Sequence, residues 1–149
     1  MEHNNIFITI KAAVVSVFGA FGAAFGWLGW LVLGWVTCML VDYISGTCAA
    51  LKRGEWSSAL AREGVWHKGG MIMVVIAASL ADAVLSVAVS STNLPFEYTT
   101  LLLPIVLVWY VVTELGSVLE NASRMGVGIP PVLANMLETT KDKIGGEDK

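Results

Sequence analysis

"AAVVSVFGAFGAAFGWLGWLVLGWVTCMLVDYISGTCAAL", residues 12–51, carries one charge, Asp42, in its whole length. As a single helix it would run about 60 Å, roughly twice the 30 Å thickness of membrane hydrocarbon. The run therefore reads as two spans parted at "GWLGW", 26–30, where two glycines loosen the helix and two tryptophans suit the headgroup level. The first span is expected over about 8–26 and the second over about 30–51. Glu2, His3 and Lys11 precede the run much as a charged region precedes a secretory signal. The apolar sequence continues past the small-residue stretch "FGAAFG" at 21–26, which fits a span rather than a cleaved peptide.

Outward from this run, a third apolar segment covers about 69–90 and ends at "SSTNLPF", where Asn93 and Pro95 mark a turn. A fourth covers about 98–119. Of the 149 residues, 56% are hydrophobic and 14% charged, whereas a soluble domain has about a quarter of its residues charged. The expected fold is an all-α integral membrane protein of about four transmembrane helices, forming one membrane domain over 1–149.

The cations orient it. Four spans place the amino terminus, the 52–68 loop and the 120–149 tail on one side. Lys11, Lys52, Arg53, Arg62, Lys68, Arg124, Lys141, Lys143 and Lys149, all nine Lys and Arg of the chain, fall in those segments. Positive charge marks the cytoplasmic face, so a multi-pass protein of the bacterial cytoplasmic membrane with both termini and the 52–68 loop inside is expected. In the tail, Pro130 and Pro131 suit a helix start, and Val132, Leu133, Met136 and Leu137 share one side. This reads as a short amphipathic C-terminal helix at the membrane surface or against a partner.

Each span carries small or polar residues at helical spacing. The second has Gly34, Cys38, Asp42, Gly46 and Ala50, and the third has Ser79, Asp82, Ser86 and Ser90. The fourth has Tyr110, Glu114, Ser117 and Asn121. Such stripes bring helices close and let hydroxyls and carboxyls bond across the contact. With no Lys or Arg inside the three expected spans that carry these acids, two readings stand: protonated acids in helix contacts, or ionised acids facing an aqueous lumen. Asp42, Gly46, Ser79, Asp82, Ser86, Glu114, Ser117 and Asn121 are the candidate packing or pore-lining residues.

Other chemistry is missing from the sequence. His3 and His67 lie outside the spans, and there is no metalloprotease helix, nucleophile elbow or phosphate loop. No catalytic residue, metal site or cofactor is expected, and no basic patch with interleaved aromatics suggests nucleic acid. Cys38 and Cys48 read as small apolar side chains, too far apart along one helix for a disulfide. Ser57 and Ser58, ahead of "ALAREG", suit the cap of a short helix in the loop.

Two motifs in order resemble the toxin-secretion/phage-lysis holin family. "VDYISGTCAALKRGEWSS" followed by "GVWHKGG" matches its first signature at Asp42, Tyr43, Gly46, Lys52, Ser57, Ser58, Lys68 and Gly69. "TELGSVLENASRMGVGIPPVL" is similar to the second at Glu114, Ser117, Glu120, Asn121, Gly126 and Pro130. The resemblance covers about 35–135. The usual family description has three spans where four are counted here, and many members end in a strongly basic tail where this one is mixed. The resemblance implies a non-enzymatic protein that accumulates among membrane lipids, forms a homo-oligomer and opens a lesion through which an endolysin or toxin leaves the cytoplasm. The alternatives are a small ion channel or transporter subunit using its intramembrane acids, and a membrane scaffold binding a partner through the 52–68 loop.

Overall fold

The computed structural model describes residues 2–92, 95 and 97–136, and within them the backbone is helical or connecting, with no strand. Three helices follow in order: α1 (Glu2–Arg53), α2 (Ser58–Ser91) and α3 (Leu102–Arg124). Each is long and apolar enough to cross a membrane, over Ile6–Arg53, Ser58–Ser91 and Leu102–Arg124. Residues 131–136 are also helical, directly after Pro130. The rest of the expected amphipathic segment, from Leu137 on, lies outside the described residues.

Both expected spans of the opening run fall on α1, and no loop parts them. The interruption is one residue, Gly26, with φ 60 and ψ −144, a conformation open in practice to glycine alone. Around it the chain doubles back. A Cβ on Gly22 would lie 2.7 Å from the Trp30 indole, and one on Gly29 would lie 3.0 Å from the Phe21 carbonyl oxygen and 3.4 Å from the Gly22 Cα. In a straight helix residues 21 and 29 would be about 12 Å apart. The described residues up to Gly34 form one compact unit and those from Trp35 on a second.

The second unit holds the C-terminal part of α1 with α2 and α3. Its helix ends are built from local chemistry. α1 stops at Gly54 (φ 70), where Glu55 N–H reaches back to the Ala50 carbonyl. α3 stops the same way at Gly126 (φ 86), with Val127 N–H on the Ala122 carbonyl. In both, a left-handed glycine lets the next amide satisfy an orphan carbonyl of the last turn. α2 starts on Ser57, whose hydroxyl oxygen accepts the Leu60 N–H at 3.2 Å. The helix continues unbroken from there to Ser91. The short loop helix expected after Ser57 is thus the first turns of α2, and most of the 52–68 segment is helical.

The apolar core is thin: Trp35, Met39, Ala49, Met71, Val75, Ala78 and Leu107 are buried, while dozens of large apolar side chains face outward. That distribution suits a solvent of lipid tails, in which apolar surface need not be hidden. What lies inside instead is polar. Asp82, Glu114 and Asn121 are buried. α2 and α3 pack closely, and α1 packs on α3 with Trp35 stacked on Tyr110 at 6.0 Å.

Candidate functional site

Five side chains from three helices meet in the second unit. The Lys68 ammonium of α2 donates to Asp42 Oδ2 of α1 at 2.9 Å and to Glu114 Oε2 of α3 at 2.6 Å. The Asn121 amide of α3 donates to Asp42 Oδ1 at 3.0 Å and to the Ser45 hydroxyl at 3.1 Å. Gly46 makes room for that amide, since a Cβ there would stand 3.3 Å from Asn121 Nδ2. The side chains of Lys68, Asp42 and Glu114 keep 15%, 18% and 4% of their exposure. Charge-assisted bonds of this length are strong where water is scarce, and each carboxylate would be costly there without its partner.

The sequence offered these acids no cation partner, and the structure supplies one. Two of the three acids have a cation partner, since Lys68 pairs with both Asp42 and Glu114. Hydropathy alone put the third span's start at 69, one residue too late to include that lysine. The Ser57 cap starts α2 well before it, which carries Lys68 into the helical register of Ala61 and Gly64 on the face turned to α1 and α3. Even so the cluster is unbalanced, with two carboxylates to one ammonium.

On the Lys68 side lies a cavity of about 300 Å³, lined among others by Gly46, Lys68, Ser117, Glu120 and Asn121. It is polar enough and large enough to hold several waters. At its rim Arg124 meets Glu55 at 3.2 Å, Arg53 meets Glu55 at 3.0 Å, and Lys52 donates to the Met125 carbonyl. These rim pairs are exposed and contribute little individually.

Asp82 does separate work further along α2. Its Oδ1 accepts the Tyr98 hydroxyl at 2.5 Å and the N–H groups of Leu101 and Leu102 at 3.2 and 3.0 Å. Its Oδ2 accepts the Leu103 N–H at 2.7 Å. α3 has no capping side chain of its own at Leu101, so an aspartate from the neighbouring helix takes that role. A negative charge there also suits the positive end of the helix dipole. The bond to Asp82 raises the Tyr98 hydroxyl above the ordinary tyrosine pKa.

The remaining candidates divide. Ser117 lines the cavity while its hydroxyl donates to Thr113 of its own helix at 3.2 Å. Ser79 and Ser86 are exposed on the outside of α2 and do not join the cluster. Of the family-signature positions, Tyr43 and Glu120 line the cavity, Ser57 caps α2 and Gly126 ends α3. Ser58 opens α2, and Gly69 is half-buried with open space beside it. Ser45 and Tyr98 were not among the sequence candidates. Ser45 is three residues from Asp42, a spacing that could have found it.

Residues 19–142 match the bacteriophage holin family. The chain belongs to that family. It is 30% identical over 142 residues to an uncharacterized protein of Listeria innocua, covering 95% of this chain and 94% of the other. An uncharacterized protein of Listeria monocytogenes is likewise 30% identical over 142 residues, covering 95% and 93%. One from Halalkalibacterium halodurans is 31% identical over 114 residues, covering 76% and 78%. No solved structure matches. The holin-family match runs from the residues just before the Gly26 break through the cluster and into the tail, so it includes every residue of both polar sites. A holin-family chain with three apolar helices of spanning length is a membrane protein, and the family points away from an enzyme.

Proposed function

We propose that this chain accumulates in the bacterial cytoplasmic membrane, self-associates and opens a lesion through which an endolysin or toxin leaves the cytoplasm. The observation that carries the reading is the holin-family match over residues 19–142. The buried charge cluster adds a physical reason to associate. Polar faces within apolar helices are better satisfied against a second protomer or a water-filled hole than against lipid.

In this reading the chain crosses the membrane four times. The doubling-back at Gly26 supports two passes within α1, and the one-sided distribution of Lys and Arg supports cytoplasmic termini. The cavity beside Lys68 favours one competitor, a small channel whose charged cluster lines an ion path. Controlled expression separates the two. Lesion formation gives a period of normal growth, then abrupt depolarisation, and clears the culture when a cytoplasmic lysin is co-expressed. Steady conductance in viable cells, with the lysin retained, would favour the channel.

A further inference from the structure

In the second unit α2 and α3 pack closely, and α1 joins them through apolar contacts such as Trp35 stacked on Tyr110 at 6.0 Å and through a set of polar bonds. α2 and α3 approach backbone to backbone. The charged part of the α1 contact is Asp42, whose carboxylate takes one bond from Lys68 and one from Asn121. The two arms of the Lys68 clamp are unequal. The Glu114 arm is shorter, 2.6 Å, and almost sealed, whereas the Asp42 arm is 2.9 Å and ends on a side chain that lines the 300 Å³ cavity.

The charge count sharpens the asymmetry. With α1 in place, one ammonium serves two carboxylates. If α1 leaves, Lys68 and Glu114 remain as a neutral one-to-one pair on α2–α3, and the surplus negative charge departs with Asp42. Two carboxylates close to one cation repel each other, so Glu114 weakens the hold on Asp42. A clamp of this composition holds α1 but is poised to let it go.

We propose that the Asp42–Lys68 contact is a latch. Closed, it holds α1 on the α2–α3 pair in the resting chain. Open, it frees the Asp42, Ser45 and Gly46 face of α1 for a second copy, the step that commits the membrane to a lesion. This rests on the lesion reading and adds to it which contact sets the timing.

The latch predicts opposite effects from two substitutions that a purely structural cluster would treat alike. Glu114→Gln removes the competing carboxylate, leaves Lys68 and Asp42 as a one-to-one pair, and delays lesion onset. Asp42→Asn removes the charge attraction, keeps hydrogen-bonding atoms for Asn121, and advances onset. The shift expected is about threefold in the open-to-closed ratio, the factor that about 0.6 kcal/mol corresponds to at 1.4 kcal/mol per decade. Onset is timed by depolarisation in cells holding equal amounts of each chain in the membrane. Onset moving the same way in both variants, or in neither, overturns the latch while leaving the lesion reading intact. A wild-type chain that never depolarises the membrane overturns the lesion reading itself and the latch with it.

A second measurement does not depend on either variant folding. Cysteines replace Glu55 and Arg124, whose side chains already meet at 3.2 Å, in a chain with Cys38 and Cys48 changed to Ala. A bis-maleimide with a disulfide in its linker then pins the chain just beyond the end of α1 to the last residue of α3. The bridged chain should keep loaded vesicles sealed until a reductant cuts the linker. Bridged chains that release the contents as readily as unbridged ones overturn the proposal.

Discussion

The Asp82 carboxylate, on α2, accepts the backbone N–H of Leu103 at 2.7 Å, so the first turn of α3 is finished by a residue twenty-one positions earlier in the chain. Leu101 and Leu102 share the same carboxylate. Without it these amides would be orphaned in an apolar setting, at a cost of about 1–3 kcal/mol for a buried donor. Asp82→Ala should therefore destabilise the helix pair by about 2 kcal/mol, and Asp82→Asn, which keeps one acceptor oxygen, by less. Reversible unfolding in mixed micelles measures this, and faster amide exchange confined to residues 101–103 identifies the cap as the cause.

Tyr98 adds a pH dependence to that cap. Its folded-state pKa is raised because the hydroxyl donates to Asp82. A raised folded pKa contributes stability that is fully present below the unfolded tyrosine value of about 10 and is lost as pH climbs through the folded value. The wild-type chain should lose stability over that alkaline range, and Tyr98→Phe should start slightly less stable and lose less. Unfolding curves at pH 8 to 12 would show the two chains converging.

Gly46 tests how tightly the Asp42 end of the cluster is built. A Cβ there would stand 3.3 Å from Asn121 Nδ2, close enough for Gly46→Ala to be tolerated after a small shift of the amide. Gly46→Val would push Asn121 off Asp42 and Ser45 and leave buried polar atoms unpaired, costing about 1–3 kcal/mol. The expected order of stability is wild type, then the alanine variant, then the valine variant. In an Asn121→Ala background, Gly46→Val should cost much less than it does in the wild-type chain, because the group being crowded is gone.

Topology can be read by cysteine labelling in intact cells. In a Cys38→Ala, Cys48→Ala chain, single cysteines at Leu28 and Thr99 should react with an impermeant maleimide from outside. A cysteine at Leu60 should react only after the cells are opened. Outside labelling at residue 60 would contradict four passes with cytoplasmic termini.

The apolar runs, the weak point at 26–30 and the shared face of Asp42 and Gly46 are all legible in the sequence, because each depends on periodicity or on one residue's conformational range. Glu114 and Asn121 share a stripe on the fourth segment for the same reason. Lys68 was visible as a residue but not as a partner. Hydropathy averages over a window and ends a span at the first cation, whereas the helix itself begins where Ser57 can cap it. Asp82 was legible as an intramembrane acid, and its role was not, since its partners are backbone amides across a turn with no side-chain signature. Ser79 and Ser86 mislead for the converse reason. Helical spacing puts them near Asp82 in the pattern, but the neighbouring helix packs on a different face of α2.

Lesion formation itself is tested most directly with purified chain in bilayer vesicles loaded with both a small dye and a folded enzyme. As the ratio of chain to lipid rises, both cargoes should stay inside up to a threshold and then leave together, because the opening forms only on assembly and is wide enough for protein. Dye that escapes in proportion to the amount of chain, with the enzyme retained at every ratio, would contradict a lesion and mark a narrow channel.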